Sequence, residues 1–138
     1  MVDIVTKATR SRIMASVKGS ETQPEVLVRK FLFSKGFRYR KNLRALPGKP
    51  DIVLAKYKTV ILIHGCFWHG HKNCKDATLP KSRIEYWKPK IEGNVKRDCS
   101  KKLELKKLGW KVIEIWTCQL HKKKLEGTLQ RLIRRIIQ

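Results

Sequence analysis

The chain has 138 residues, enough for one compact domain with a real core and too few for two. Its 33 Lys and Arg against 11 Asp and Glu give a formal net charge of +22, which calls for a polyanionic partner and makes salt-sensitive nucleic-acid binding the first expectation, without choosing between DNA and RNA or between a binder and an enzyme. The 41% hydrophobic content excludes a disordered basic tail, and the short apolar runs, with no secretory start, exclude a membrane span and point to the cytoplasm.

In chain order, Thr6 to Glu21 mixes Lys, Arg, Ser and Thr with few apolar anchors and is expected to be a basic N-terminal arm (residues 1–21) that orders on DNA, ahead of a single folded domain. Pro24 suits a first helical turn, Val28, Phe31 and Leu32 form an apolar stripe, and Gly36 can end the helix, so a helix is predicted from Pro24 to Lys35. Phe37 and Tyr39 alternate with Arg38 and Arg40 as in a strand, and Pro47, Gly48 and Pro50 make a stiff turn. Asp51 to Ala55 and Thr59 to His64 are β-branched and apolar, joined by a turn so short that they must form an antiparallel hairpin. Gly65 to Lys81 is loop-like, too long to stand without a metal or a function holding it.

Ile91, Val95, Cys99 and Leu103 recur every four residues up to Gly109, which predicts a long helix with Cys99 in the core. It leads by a crossover into a strand from Trp110 to Trp116, whose two tryptophans read as core. Leu129, Leu132, Ile133 and Ile136 then mark an amphipathic last helix with Arg131, Arg134 and Arg135 on its other side. The order implies an α/β fold, a mixed sheet flanked by helices as in a nuclease-like sandwich.

Asp51 opens a buried strand, where a carboxylate can project from a rigid element, although an Asp after Pro-Gly-x-Pro also caps turns. The hairpin brings it near His64, and His69 follows in the loop. One carboxylate with nearby oxygen ligands can hold magnesium, and a neutral imidazole can take a proton from an attacking water, a set suited to phosphodiester hydrolysis. Glu25 either reaches that metal or offsets the dipole of its helix. Cys66, His71 and Cys74 share one loop, and with Cys118 they make the three-thiolate, one-imidazole set of a closed structural zinc site; His121 is the competing fourth ligand. Phe67 and Trp68 are either core or a wedge held out by that metal loop, Trp87 is a third wedge candidate, and Met14 in the arm is a groove probe or mere packing.

The block PGKPDIVLAKYKTVILIHGCFWHGHKNC, Pro47 to Cys74, resembles the core signature of the very-short-patch (Vsr) DNA mismatch repair endonucleases. KATRSRIM near the start, with Arg10 and Arg12, NVKRD at Asn94 to Asp98 and LGWKVIEIWTC at Leu108 to Cys118 resemble the same family in order and spacing. The resemblance implies a bacterial, nucleoid-acting enzyme with a restriction-endonuclease-like core. Its substrate would be double-stranded DNA with a T:G mismatch left by deamination of 5-methylcytosine. It would nick 5′ to the mispaired thymine with Mg²⁺, as a monomer, before downstream repair proteins take over. It further implies that Asp51 and the main-chain carbonyl of Ile63 ligate Mg²⁺ and that His64 and His69 are essential. Asp98 would orient His69, Glu25 would lie near the metal, and Cys66, His71, Cys74 and Cys118 would bind Zn²⁺. Phe67, Trp68 and Trp87 would intercalate beside the mismatch, with Arg10, Arg12 and Met14 as further DNA contacts. Strand Thr59 to His64 lacks the acid and lysine common in the wider superfamily, so one carboxylate and histidines must carry the chemistry. The competing classes are a non-catalytic zinc protein that binds DNA or RNA and a sequence-specific restriction endonuclease. A zinc hydrolase using the Cys and His cluster is disfavoured because that ligand set leaves no open position.

Overall fold

A computed structural model describes residues 23–138. The basic arm, with Arg10, Arg12 and Met14, lies outside the described residues. Helix α1 spans Gln23–Ser34 and buries Val28 and Leu32. Gly36, at φ +89°, lets the chain turn back so that Gly36 N–H meets the Phe33 carbonyl and Phe37 N–H the Leu32 carbonyl, both at 3.0 Å. That pair of bonds is a Schellman cap, and it corrects the strand expected from Phe37: the residue is consumed in ending α1, and strand β1 is only Arg40–Lys41. Phe37 instead packs in the core against Tyr57, ring centroids 5.5 Å apart.

Strands β2 (Ile52–Leu54) and β3 (Thr59–His64) form the expected hairpin, with Ile52 opposite Ile61 and Leu54 opposite Thr59. Helix α2 (Ile84–Lys107) is the crossover that returns the chain to β4 (Lys111–Trp116), parallel to β3 with His64 beside Trp116. Helix α3 (Leu125–Ile137) follows. The mixed sheet has the order β1-β2-β3-β4.

Strand alternation sorts the layers. Ile52, Leu54, Ile61, Ile113 and Ile115 face a core shared with α1 and α3, whereas Val53, Val60 and Val112 pack with Leu105 of α2 and with Trp110. β3 is therefore covered on both faces, which explains its unbroken apolar run. This is the α/β architecture with helices flanking a mixed sheet that the sequence implies.

The α2 stripe needs correction. Leu105 is fully buried and Ile91 nearly so, but Leu103 is 60% exposed and Cys99 is exposed rather than core. A strict four-residue period drifts about 40° per step around a helix of 3.6 residues per turn, so the stripe that starts at Ile91 leaves the sheet before Cys99. The face toward the sheet instead runs through Asp98 and Lys102 to Leu105, and so carries two charged groups. Among the described residues no helix is long and apolar enough to cross a membrane.

Candidate active site and metal centre

Three elements converge at the end of the sheet where β2 begins and β3 stops. The turn Pro47 to Pro50 enters β2 through Gly48 at φ +73° and Lys49 at φ 48°, and a Cβ on Gly48 would meet Lys101 Cβ at 3.0 Å. This tight passage under α2 sets Asp51 just ahead of β2. One carboxylate oxygen, Oδ2, accepts the Ile63 N–H at 2.7 Å, a bond across the continuing hairpin register. Burial pushes the Asp51 carboxyl up to about 7, with the Ile63 hydrogen bond pulling it down and the Glu25 carboxylate pushing it further up. Glu25 is only 4% exposed in the first turn of α1. Its Oε2 lies 3.7 Å from Arg29 Nη1, one turn along the helix.

His64 ends β3, buried, with its ring centroid 4.4 Å from that of His69 and 4.9 Å from Trp116. His69 reaches this position through the glycine that follows it. Gly70 has φ +60°, and a Cβ there would come within 2.9 Å of Val95 and 3.0 Å of Ile91. Only glycine lets the loop lie this close on α2, and one turn further along α2 Asp98 Oδ2 accepts a hydrogen bond from His69 Nδ1 at 2.6 Å. Asp51, Glu25, His64, His69, Asp98 and Trp68 all line one cleft of about 590 Å³.

Sequence reasoning missed the partner of the other imidazole. Glu114 Oε2 accepts from His64 Nε2 at 2.9 Å, and its Oε1 accepts from Lys102 Nζ, also at 2.9 Å. The hydrogen bond to His64 holds the Glu114 carboxyl down at about 2, burial opposing it and Lys102 reinforcing it. The available signal was an acid in an otherwise apolar strand interior. Ligand atoms of His64, His69 and Asp98 lie within 4.8 Å of one another, but each imidazole already has one nitrogen engaged by its own carboxylate.

Beyond His69 the loop gathers a second cluster. Cys66, His71, Cys74 and Cys118 offer ligand atoms all within 4.8 Å of one another, with Cys118 Sγ 3.5 Å from His71 Nδ1. His121, the competing ligand, is 64% exposed and faces Asp76 at 3.3 Å, outside the cluster. Burial pushes the Cys118 thiol up to about 12, helped by Cys66 and Cys74. At Cys66 burial also raises the thiol, but hydrogen bonds with Thr117 and Cys118 outweigh it and bring it below the ordinary value. Thiols crowded in this way want a soft cation, so the donor set fits a metal ion such as zinc. Trp116, expected in the core, is half-buried and stacks flat on His71, 4.1 Å away at 7°.

Phe67, Trp68 and Trp87 pack edge to face, with centroids 5.2 to 5.8 Å apart, and all three are partly exposed. They are therefore neither core nor three independent wedges but one aromatic cluster at the cleft. Asn94, from α2, donates to the Trp68 carbonyl at 2.8 Å and fixes the loop below it.

Comparison with known proteins agrees with this geometry. The family profile described as "DNA mismatch endonuclease Vsr" matches residues 2–76. The chain is 53% identical over 137 residues to the type II nicking enzyme V.NmeAIP of Neisseria meningitidis serogroup A, covering 99% of this chain and 97% of that one. It is 45% identical over 120 residues to the type II nicking enzyme V.XorIIP of Xanthomonas oryzae pv. oryzae, covering 87% and 88%. Identity to the DNA mismatch endonuclease Vsr of Escherichia coli is 40% over 120 residues, covering 87% and 76%. On this evidence the chain belongs to the DNA mismatch endonuclease Vsr family and is a DNA endonuclease, a hydrolase of phosphodiester bonds.

Proposed function

We propose that the chain nicks one strand of duplex DNA on the 5′ side of the thymine of a T:G mismatch, by Mg²⁺-dependent hydrolysis, in very short patch repair. The observation that carries this reading is the cleft itself: the half-buried Asp51 carboxylate beside the buried Glu25, and two carboxylate-tethered imidazoles next to a partly exposed aromatic cluster. The names of the relatives, mismatch endonuclease and nicking enzymes, favour a single-strand cut at a mispair.

Asp51 and the main-chain carbonyl of Ile63 would hold Mg²⁺, with Glu25 close by. The fit rests on Asp51: a carboxyl pushed up to about 7 by burial and a neighbouring acid needs a cation to ionise at neutral pH. In an extended strand a residue's N–H and C=O point to the same edge, so the Ile63 carbonyl faces the side on which its N–H meets Asp51. Bound there, the ion would supply Lewis acidity to the scissile phosphate. His69, whose Nδ1–H is engaged by Asp98, keeps an Nε2 lone pair to take the proton of the attacking water. The water oxygen bonds to phosphorus as the bridging P–O bond breaks, and the departing sugar oxygen takes a proton from solvent to leave as a hydroxyl. His64, packed against His69, serves the same phosphate.

Cys66, His71, Cys74 and Cys118 would hold a structural Zn²⁺ that braces the loop carrying His69 and the aromatic cluster. Phe67, Trp68 and Trp87 would enter the base stack beside the mismatch, where unstacking costs least. Arg10, Arg12 and Met14 complete the DNA contacts from the arm. We take the chain as a single endonuclease domain acting as a monomer in the bacterial cytoplasm, at the nucleoid, since a strand-asymmetric mismatch needs no two-fold partner.

The test is incubation with Mg²⁺ and end-labelled duplexes that differ only in a T:G or T:A pair. The expected result is one nick beside the mispaired thymine and none in the T:A duplex. Equal cutting of both would turn the reading to a sequence-specific endonuclease.

A further inference from the structure

Strand parity puts His64 and Glu114 on the same face of the sheet. His64 shares the parity of Val60, and Glu114 that of Val112, both of which pack toward α2. β3 and β4 run parallel with Leu62 beside Glu114, so the acid stands two residues short of the His64 level, within reach of its ring. Both of its oxygens are used: Oε2 by His64 Nε2 and Oε1 by Lys102 Nζ, each at 2.9 Å. Lys102 reaches in from α2 four residues beyond Asp98. One helical face therefore supplies the carboxylate that holds His69 and the ammonium that holds the carboxylate of His64.

The two imidazoles are gripped at opposite nitrogens, His64 by Nε2 and His69 by Nδ1, with their rings 4.4 Å apart. An ionised carboxylate can only accept, so the gripped nitrogen of His64 carries the hydrogen, and in the neutral ring the lone pair is then on Nδ1. An unpaired carboxylate this close to the cleft would repel phosphate. Lys102 offsets that charge, which lets an acid stand here without cost to substrate binding.

We propose that Glu114, braced by Lys102, is a positioning residue that fixes His64 as the Nε2–H tautomer in one ring orientation beside His69. This rests on the reading of His64 as part of the active site. It adds a second carboxylate–imidazole pair to the cleft, built from β4 and α2, and makes Lys102 a structural requirement of the reaction without touching DNA.

The test uses the zinc-loaded full chain. Two-bond ¹H–¹⁵N spectra at about pH 8 report the ring nitrogens of His64, assigned by their loss in His64→Ala, and nicking of the T:G duplex is measured alongside. The expected wild-type pattern is Nε2–H. Glu114→Leu is expected to mix the tautomers and lower kcat roughly 10–100-fold with KM within about twofold, and Glu114→Gln, whose single oxygen is claimed by Lys102 Nζ so that its amide group faces the ring, is expected to turn His64 toward the Nδ1–H tautomer and to lower kcat at least as far. An Nδ1–H pattern in the wild type overturns the proposal. So does a Glu114→Leu protein with unchanged tautomer and kcat, or a Glu114→Gln protein that keeps the wild-type tautomer and rate. Should Glu114→Leu fail to fold, the wild-type spectrum and the Lys102→Met variant, expected to loosen the tautomer preference, still decide. A His64→Ala protein that nicks at the wild-type rate would refute the catalytic reading of His64 while leaving the tautomer result intact.

Discussion

Asp51 carries two opposing demands. Its carboxyl is pushed up to about 7, chiefly by burial, from an ordinary value of 3.8. An acid whose folded value is raised holds its proton longer in the native state than in the unfolded one. Its contribution to stability therefore falls as pH rises from about 4 to 7. In Mg²⁺-free buffer Asp51→Asn, which keeps an oxygen for the Ile63 N–H, should stabilise the zinc-loaded protein at pH 8 by about 1–3 kcal/mol and by roughly half as much at pH 5.5. Thermal melts at the two pH values check this, and an equal shift at both would contradict it. At His69 the controlling group is Asp98, 2.6 Å from Nδ1. Asp98→Asn can turn its amide to the ring and favour the wrong tautomer, so single-turnover nicking should fall about 10²-fold with little change in DNA affinity. Asp51, His64 and His69 stand out in the sequence because a turn, a strand end and a metal-spaced loop mark them, whereas Asp98, inside a helix, was indicated only by the family resemblance of its segment. Glu114 was missed because its one signal, an acid inside an otherwise apolar strand, reads equally as a solvated side chain on a half-exposed face.

At the scale of elements, the hairpin, the crossover and the last helix were legible because each follows from a period or a short turn. The two misreadings have separate physical sources. Phe37 alternates as a strand residue does, yet its N–H is taken by the Schellman cap of α1. Cys99 lies on a four-residue repeat that a helix of 3.6 residues per turn cannot keep on one face. The metal loop is the element the sequence described best, since Cys and His spacing survives any choice of secondary structure. It left the fourth ligand open between Cys118 and His121, and only the three-dimensional arrangement separates them. The prediction is that His121→Ala retains about one zinc per chain and a wild-type melt, whereas Cys118→Ala loses the metal and with it the order of the loop. Elemental analysis with thermal melts distinguishes the two, and zinc loss in His121→Ala alone would reverse the assignment.

The whole molecule carries a net charge of +22 on 138 residues, and four of its 11 acids stand at or behind the cleft. Glu25, Asp51 and Asp98 line the cleft and Glu114 is tied to His64, so the remaining surface is strongly cationic. Affinity for any duplex should therefore drop by about 10³-fold or more between 50 and 200 mM salt, while the proposed preference for a mismatch, if the aromatic cluster confers it, should change far less. Titrations of matched and mismatched duplexes across that range check the separation; a preference that fades with salt as fast as affinity would refute it. The central claim is that hydrolysis belongs to the Asp51 cleft and not to the cysteine cluster beside it. The most direct measurement is single-turnover nicking of a T:G duplex by Asp51→Asn, with zinc content and mismatch binding measured on the same preparation. Cleavage should fall by at least about 10³-fold with zinc and binding retained; nicking at the wild-type rate by a zinc-loaded Asp51→Asn protein would place hydrolysis elsewhere.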